Sequence, residues 1–568
     1  MAGPLAGQES RMFPQTEDLV GARGGRERDP QRDLASLREV QAAAAGGRHA
    51  EAAKLAAAAL ADGLEHPLLL NVLALQFEQA GDLGRAEVLL QRAVALASDD
   101  LGARNALGLC LLRLDRPAEA LVHFDTLLRG HPGLAFLHAS RGAALLALGS
   151  IAAAESAHRR ALELDPALPV ALTGLAQIAS RRGAYADARM WAEKALAGLP
   201  GLPDAVMSLA AAELGEREPE RAEARLRALL ADERVGSFDR TYALGLLGDV
   251  LDAQERCEEA FAAYTACNEA LRQLFAPTFG GGQSALQYVR WISSYFERAK
   301  REDWRAPATI GPDPSAARGH VFVLGFPRSG TTLLEIVLEG HPDVVSLEEK
   351  ESMIDGVREF LREPQDLERL RRADPDALAP LRASYWRRIA AAGVDVAGKV
   401  FVDKNPLNTL KLPLIARLFP QAKILFACRD PRDVVLSCFR HRFEMSAPMY
   451  ELLSIEGAAR YYEAVMGLGI LFANLLPIDV CLVRHEDVVQ QFAREMARIC
   501  AFLGIDWAPA MGDFALRTKN RETLTPSTAQ LVRGLNTEGL GHWRRYETQL
   551  AAAMPILRPW VERFYYDA

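Results

Sequence analysis

Ala52, Ala86, Ala120, Ala154, Ala188 and Ala222 follow one another at intervals of 34 residues. A strict period of this length predicts a stack of like supersecondary units, because one such unit cannot bury its own apolar face and relies on its neighbours to do so. Twelve residues before each of the last five alanines stands another small residue, Ala74, Gly108, Gly142, Ala176 or Ala210. Five before four of the six stands a glycine, Gly47, Gly81, Gly149 or Gly183, and twelve after three of them comes Pro132, Pro166 or Pro200. The pattern predicts two antiparallel helices per unit that cross closely where small side chains face each other, with glycine ending the first helix and proline closing the second.

This pattern resembles the tetratricopeptide repeat over residues 35–272, six units with Ala260 and Cys267 marking a seventh, slightly longer one. The resemblance implies an all-α solenoid whose concave groove docks a peptide or partner protein; a spacer or dimerisation arm is the plainer alternative. Residues 1–33 mix charges with Gly and Pro, lack the apolar core of a signal peptide, and read as a disordered tail. After the repeats, a Gly-rich stretch at 275–284, a helix at 285–300 and a Pro- and Gly-rich segment at 305–320 read as a closing helix and linker over 273–319. Residues 320–568 then form a second domain.

With 49% apolar and 25% charged residues, the 568-residue chain has the balance of an ordinary globular protein, which excludes disorder throughout. Basic residues number 66 and acidic ones 74, so the net charge of -8 argues against a nucleic-acid partner and requires any phosphate site to be built locally. Cys110, Cys257, Cys267, Cys428, Cys438, Cys481 and Cys500 show no C-x-x-C spacing and read as reduced thiols of a cytoplasmic protein. No metal cluster is expected. The longest uncharged runs, 142–154 and 464–478, fall short of the ~20 apolar residues of a spanning helix, so no membrane span is expected.

In the second domain, apolar runs at 321–324, 400–402, 423–428 and 479–483 alternate with helical segments and predict an α/β domain with a central parallel sheet. Ligands of such sheets bind just beyond the carboxyl ends of the strands. Beyond the first run comes Gly325-Phe326-Pro327-Arg328-Ser329-Gly330-Thr331-Thr332, then Leu333, Leu334, Val337 and Leu338 at helical spacing. Backbone N–H groups at such a strand–loop–helix junction cradle a phosphate or sulfate. Gly325 and Gly330 are spaced as in a nucleoside-triphosphate loop, yet Thr331 stands where that loop has its lysine, and the cation is Arg328. No convincing aspartate ends a strand to hold Mg²⁺, which weighs against a kinase-like phosphate transferase.

The run from Pro327 to Thr332 resembles the 5′-phosphosulfate loop of sulfotransferases, which use 3′-phosphoadenosine 5′-phosphosulfate (PAPS). Followed by His341-Pro342-Asp343-Val344 and Glu348-Glu349, it looks most like protein-tyrosine sulfotransferases and the bacterial proteins that join this P-loop-like domain to tetratricopeptide repeats. The resemblance implies a second element, an Arg at a strand end with Ser eight residues on, and Arg429 and Ser437 supply it to hold the donor's 3′-phosphate. Asp403-Lys404-Asn405-Pro406 matches a lysine near the transferred group, while Ser527, Arg533 and Trp543 look like a late loop with a transition-state serine and a further basic contact. The catalytic set so implied is Glu349, Arg328, Lys404 and Ser527. The donor-binding set is Pro327, Arg328, Ser329, Gly330, Thr331, Thr332, Arg429, Ser437 and Arg533, with 3′,5′-adenosine bisphosphate as product and no metal.

Sulfuryl transfer builds negative charge on the leaving phosphate, which positioned cations must meet. A phenol of pKa ~10 needs a general base, the role Glu349 takes by the same resemblance. Glu348 raises the pKa of Glu349 only where both carboxylates lie close, and consecutive side chains often point apart. Plainer readings place Lys404 in an ion pair, Glu348 and Glu349 at a solvated helix start, Arg429 against Asp433, and His341, His441 and His485 in structural roles. The sequence thus leads to a soluble, cytoplasmic, PAPS-dependent sulfotransferase acting on tyrosine in a peptide or protein held by the repeats. A glycan or small phenol is the alternative acceptor, a repeat scaffold with an inactive or donor-sensing module is the alternative of another class, and homodimer formation is left open.

Overall fold

The computed structural model describes residues 30–304, 315–519 and 534–567, apart from 536 and 538. They divide into two compact units: one runs to Arg256 and takes in Glu269–Pro277, and the other comprises Cys257–Asn268 and the chain from Thr278 onward.

In the first unit the helices follow the period of the sequence. First helices Pro67–Gln79, Leu101–Arg113, Ala135–Ala147, Pro169–Arg181 and Pro203–Gly215 alternate with second helices Leu83–Leu96, Pro117–Gly130, Ile151–Leu164, Tyr185–Gly198 and Pro219–Ala231. All six periodic alanines are 0% exposed. Two of their small partners are tightly placed: a Cβ on Gly108 would lie 2.6 Å from the Phe124 ring and one on Gly142 2.7 Å from His158, and Gly174, outside the series, presses on the same His158 ring, where a Cβ would lie at 2.3 Å. Larger residues at these positions would push the paired helices apart.

The turn after each first helix needs a left-handed residue, which glycine adopts without steric cost. Gly47, Gly81, Gly149 and Gly183 have φ from +71° to +85°, and Asp115 and Arg217 occupy the two remaining positions of the same 34-residue series at +61° and +65°. Ser237–Ala253 begins the next unit. The arc turns far enough for Gly81 to meet Ser237, whose Oγ lies 2.8 Å from where a Cβ on Gly81 would be, while the Arg113 guanidinium sits 6.0 Å from the Phe238 ring.

The second unit is built on five parallel strands, β1 (Gly319–Gly325), β2 (Val344–Glu348), β3 (Val400–Lys404), β4 (Lys423–Cys428) and β5 (Asp479–Arg484), in the order β2-β3-β1-β4-β5. Expected strands 321–324, 400–402, 423–428 and 479–483 are all present, and β2 is the one the sequence reading lacked. Its residues VVSLE are only partly buried at the sheet edge, so no continuous apolar run announces it. Alternation along β1 sends Val321 and Val323 into an aliphatic core with Val337, Leu425 and Ile499, while Phe322 lies with Tyr385 and Phe419 on the other face. The chain leaves β1 toward β2 and β3 on one side and reaches β4 and β5 on the other, which makes the carboxyl end of β1 the switch point.

The helix expected at 285–300 is shorter, Ala285–Phe296, and opens on a capping box between Ser284 and Gln287. Ala260 and Cys267, read as the seventh repeat, are buried in helix Cys257–Phe279. Residues 257–268 of that helix pack within the second unit: Asn268 Nδ2 donates to the Phe439 carbonyl at 2.8 Å, Phe261 stacks on Phe439, and Arg440 lies 5.4 Å from the Tyr264 ring. They thereby support helix Pro431–Arg440, which carries Ser437.

Candidate functional site

β1 ends on Gly325 at φ +151°, where a Cβ would come 2.4 Å from the Ala427 carbonyl oxygen of β4. Only glycine lets the two strands stay paired there. Thr409 Oγ1 fixes this end from beneath, accepting the Gly325 N–H at 3.2 Å and lying 2.9 Å from its carbonyl oxygen. The loop then rises through Pro327 to Arg328, left-handed at φ +69°, and through buried Ser329 to Gly330 at φ +91°, before helix Thr331–Leu338 starts. Thr331 and Thr332 occupy its first turn, whose N–H groups have no intrahelical acceptor. His485 closes the far side, its ring so near that a Cβ on Gly330 would lie 2.4 Å from Nδ1.

The phosphate-loop cation and the second motif meet. Arg328 Nε donates to Ser437 Oγ at 3.0 Å, and Arg429 Nη1 lies 3.4 Å from the Arg328 carbonyl oxygen. Arg429 stands 3.9 Å from Asp433, but the Asp433 carboxylate is chiefly engaged elsewhere, accepting the N–H groups of Gly541 at 2.7 Å and Trp543 at 2.8 Å. Asp433 therefore anchors the late segment carrying Trp543, whose ring lies 3.8 Å beneath the Arg432 guanidinium. Ser527 and Arg533 lie outside the described residues.

The electrostatics of this corner are those of an anion pocket. Burial pushes Arg328 down to about 10, with Arg429 and Arg440 acting in the same direction. Burial, then Arg429 and Arg328, pushes His485 down to about 3, and burial followed by Arg328 and Arg442 holds His441 well below its ordinary value. Histidines are kept neutral here chiefly by burial, and the positive charge concentrated around them acts in the same direction. Ser329 Oγ and Arg429 Nε are buried without a hydrogen-bond partner among the described residues. Orphaned polar atoms of this kind are costly, and a bound phosphate or sulfate would satisfy them.

Lys404 ends β3, and the register that pairs it with Glu348 of β2 and Val323 of β1 brings it beside the loop. Its Nζ lies 2.6 Å from Glu349 Oε1, 2.9 Å from Glu348 Oε1 and 3.5 Å from Glu335 Oε2. Burial works against the ammonium, but Glu335, Glu349 and Glu348 together raise its pKa above the ordinary lysine value. Glu348 and Glu349 thus do not begin a solvated helix. Glu348 closes a strand, and Glu349, at φ +47°, donates its N–H to the Lys404 carbonyl at 2.7 Å and turns back so that both carboxylates reach one lysine. Lys404 is in an ion pair, as its plainer reading had it, and its register with Val323 sets it at the same end of the sheet as the loop that follows Gly325.

Sequence reasoning missed Glu335, Thr409 and the anchoring by Asp433, and gave His485 no place at the loop. Only Glu335 had a signal, a lone charge inside the apolar helix TTLLEIVL. His341, by contrast, accepts the Asp343 N–H at 3.0 Å, a structural role. All seven cysteines are free, no group of three or more His, Cys, Asp or Glu is placed to hold a metal among the described residues, and among them no helix is long and apolar enough to cross a membrane.

Residues 320–509 match the model of the Sulfotransferase family. An uncharacterized protein of Aquifex aeolicus (strain VF5) is 24% identical over 355 residues, covering 59% of this chain and 43% of that protein, so this chain spans under half of that relative's length. Protein-tyrosine sulfotransferase 1 of Danio rerio is 25% identical over 266 residues, covering 44% of this chain and 72% of that one. Protein-tyrosine sulfotransferase 2 of Gallus gallus is 26% identical over 267 residues, covering 44% and 69%. Among solved structures, a thermophilic tetratricopeptide-repeat protein of Thermus thermophilus aligns at 20% identity and a TM-score of 0.29, covering 32% of this chain and 98% of that one.

Proposed function

We propose that this chain, a tetratricopeptide-like repeat region joined to a sulfotransferase-family domain, transfers a sulfuryl group from PAPS to the hydroxyl of a tyrosine in a peptide or protein. The observation that carries the reading is the joining of Arg328 to Ser437 and of Arg429 to the Arg328 carbonyl next to the buried, unpartnered Ser329 Oγ of the same loop, with Lys404 and Glu349 at the adjoining strand end. The loop N–H groups and Arg328 hold the 5′-phosphosulfate, and Arg429 and Ser437 hold the 3′-phosphate. The acceptor oxygen forms a bond to sulfur as the bond from sulfur to the phosphate oxygen breaks. Glu349 takes the acceptor's proton, while Arg328 and Lys404 meet the charge that grows on the leaving phosphate. Ser527 and Arg533 contribute from the late loop.

The repeats dock the acceptor, as stacked helix pairs of this kind offer a concave surface to a peptide or protein. Calorimetry with 3′,5′-adenosine bisphosphate in the presence of a chelator tests the donor site. Binding at micromolar or tighter affinity is expected, whereas equal binding of adenosine 5′-monophosphate overturns the assignment of Arg429 and Ser437. Removing residues 1–256 tests the docking, since residues 257–268 belong with helix Pro431–Arg440. The KM for a protein acceptor is expected to rise about 10²-fold, that for a free phenol to stay, and bisphosphate binding to certify folding. Transfer to a sugar hydroxyl with none to tyrosine would replace the acceptor.

A further inference from the structure

Glu335 is the anomaly of its helix. Leu333, Leu334, Ile336, Val337 and Leu338 serve the core, and a fully buried carboxylate among them gains nothing for packing. The side chain is 0% exposed, Ser346 Oγ donates to its Oε1 at 3.1 Å, and its Oε2 faces Lys404 Nζ, which is also 0% exposed. The three carboxylates around this ammonium are graded from inside to outside: Glu335 at 0%, Glu348 at 11% and Glu349 at 48% exposure. Glu335 arrives from helix Thr331–Leu338, Glu348 from β2 and Glu349 from the loop after it, while the neighbouring Asp403 is directed to Tyr385 and Asn408. Through charge alone Glu335 acts more strongly on Lys404 than either other carboxylate, although it is the most distant, because both groups are fully enclosed, while Glu349 adds a hydrogen bond to its charge.

Proton uptake by Glu349 would neutralise the outermost of the three at the moment when Lys404 is needed by the leaving phosphate. We propose that Glu335 is a positioning residue for the transfer, the standing counter-charge that keeps Lys404 charged and in place from its buried side while Glu349 releases it. The proposal rests on the sulfotransferase reading above.

The test uses the full chain with Glu335→Gln and Glu335→Asp, measuring bisphosphate Kd, acceptor KM and kcat against pH with a phenolic acceptor. Glu335→Gln is expected to lower kcat about tenfold or more while Kd and KM stay within about threefold. Its alkaline limb of kcat is expected at lower pH, since Lys404 loses its fully buried counter-charge, and Glu335→Asp is expected to recover part of both changes. A kcat within about twofold of the unaltered chain and an unmoved limb overturn the proposal. Where Glu335→Gln does not fold, Ser346→Ala removes the hydrogen bond to Oε1 and keeps the charge, and a limb unmoved in both Ser346→Ala and Glu335→Asp overturns it equally. No transfer by the unaltered chain to any acceptor overturns the sulfotransferase reading instead, and is seen before any variant is made.

Discussion

Asp115 and Arg217 in the repeats, and Arg328 and Glu349 at the candidate site, all hold φ between +47° and +69°, a region that costs a side-chain-bearing residue about 1–2 kcal/mol. In the repeats the cause is the backbone. The helix-to-helix turn needs that conformation at every thirty-fourth residue, glycine fills four of the six positions, and Asp115 and Arg217 follow the same geometry in the other two. At the site the cause is the side chain: Arg328 turns to Ser437 and Glu349 turns back to Lys404. The same strain thus marks periodic architecture in one region and chemistry in the other, and what separates them is where the side chain lands.

Several substitutions can break or sharpen this contrast. Among substitutions that keep the side chain's shape the largest effect is expected for Glu349→Gln, which removes the base: transfer to a phenol falls by roughly 10² to 10⁴ while bisphosphate affinity is little changed. Retained turnover together with a loss in Glu348→Gln would move the base by one residue. Arg429→Ala is expected to cost on the order of 2 to 5 kcal/mol in binding the bisphosphate and much less for the 5′-monophosphate, read by calorimetry.

Acid stability should separate the two regions next. Burial holds His158 at about 4 in the repeats and His320 and His485 at about 3 in the catalytic unit, with His441 also well below its ordinary value. Below about pH 6.5 the unfolded chain binds protons that these folded histidines refuse, so their stability contribution is lost as pH falls toward the folded values, about 2 kcal/mol by pH 5 for a group as enclosed as His320. Asp403 acts oppositely: burial raises it to about 7, the folded form takes the proton first, and its contribution grows as pH falls from 7 toward 4. The catalytic unit is expected to lose more stability than the repeats between pH 7 and 5 in scanning calorimetry, and Asp403→Asn to steepen that loss. The smallest effect on stability is the most discriminating. Arg217→Gly and Arg328→Gly are each expected to gain about 0.5–1 kcal/mol by relieving the same strain, but only Arg328→Gly abolishes transfer. A loss of activity in Arg217→Gly would give the repeat turn a function.

What was legible in the sequence was what neighbours along the chain decide. The strand–loop–helix from Val321 to Leu338 and the pair Arg429 and Ser437 are local motifs whose spacing fixes their backbone, so the place of the loop and of Arg429 just beyond strand ends, with Ser437 in the helix that follows, comes from the pattern. β2 was not legible, because a half-exposed edge strand of five residues carries no continuous apolar signal. The order of its register, which sets Glu348 opposite Lys404, was therefore out of reach as well. Thr409 under Gly325 and Asp433 under Gly541 and Trp543 escaped for a related reason: each bonds a segment 84 or more residues away.

The sequence by itself determined the repeat architecture, since a 34-residue period repeats one way of burying each of the six alanines, and it announced the strand–loop–helix with its glycines and Arg328, at which an oxyanion is expected. Only the tertiary structure decided what surrounds Lys404. Residues 335, 348 and 349 come from a helix, a strand and a loop, and nothing in their spacing says that three carboxylates share one ammonium. The parallel pairing of β2 and β3 and the seating of helix Thr331–Leu338 bring them together. Burial then makes their charges count, because a low-dielectric interior strengthens an interaction that water would have screened.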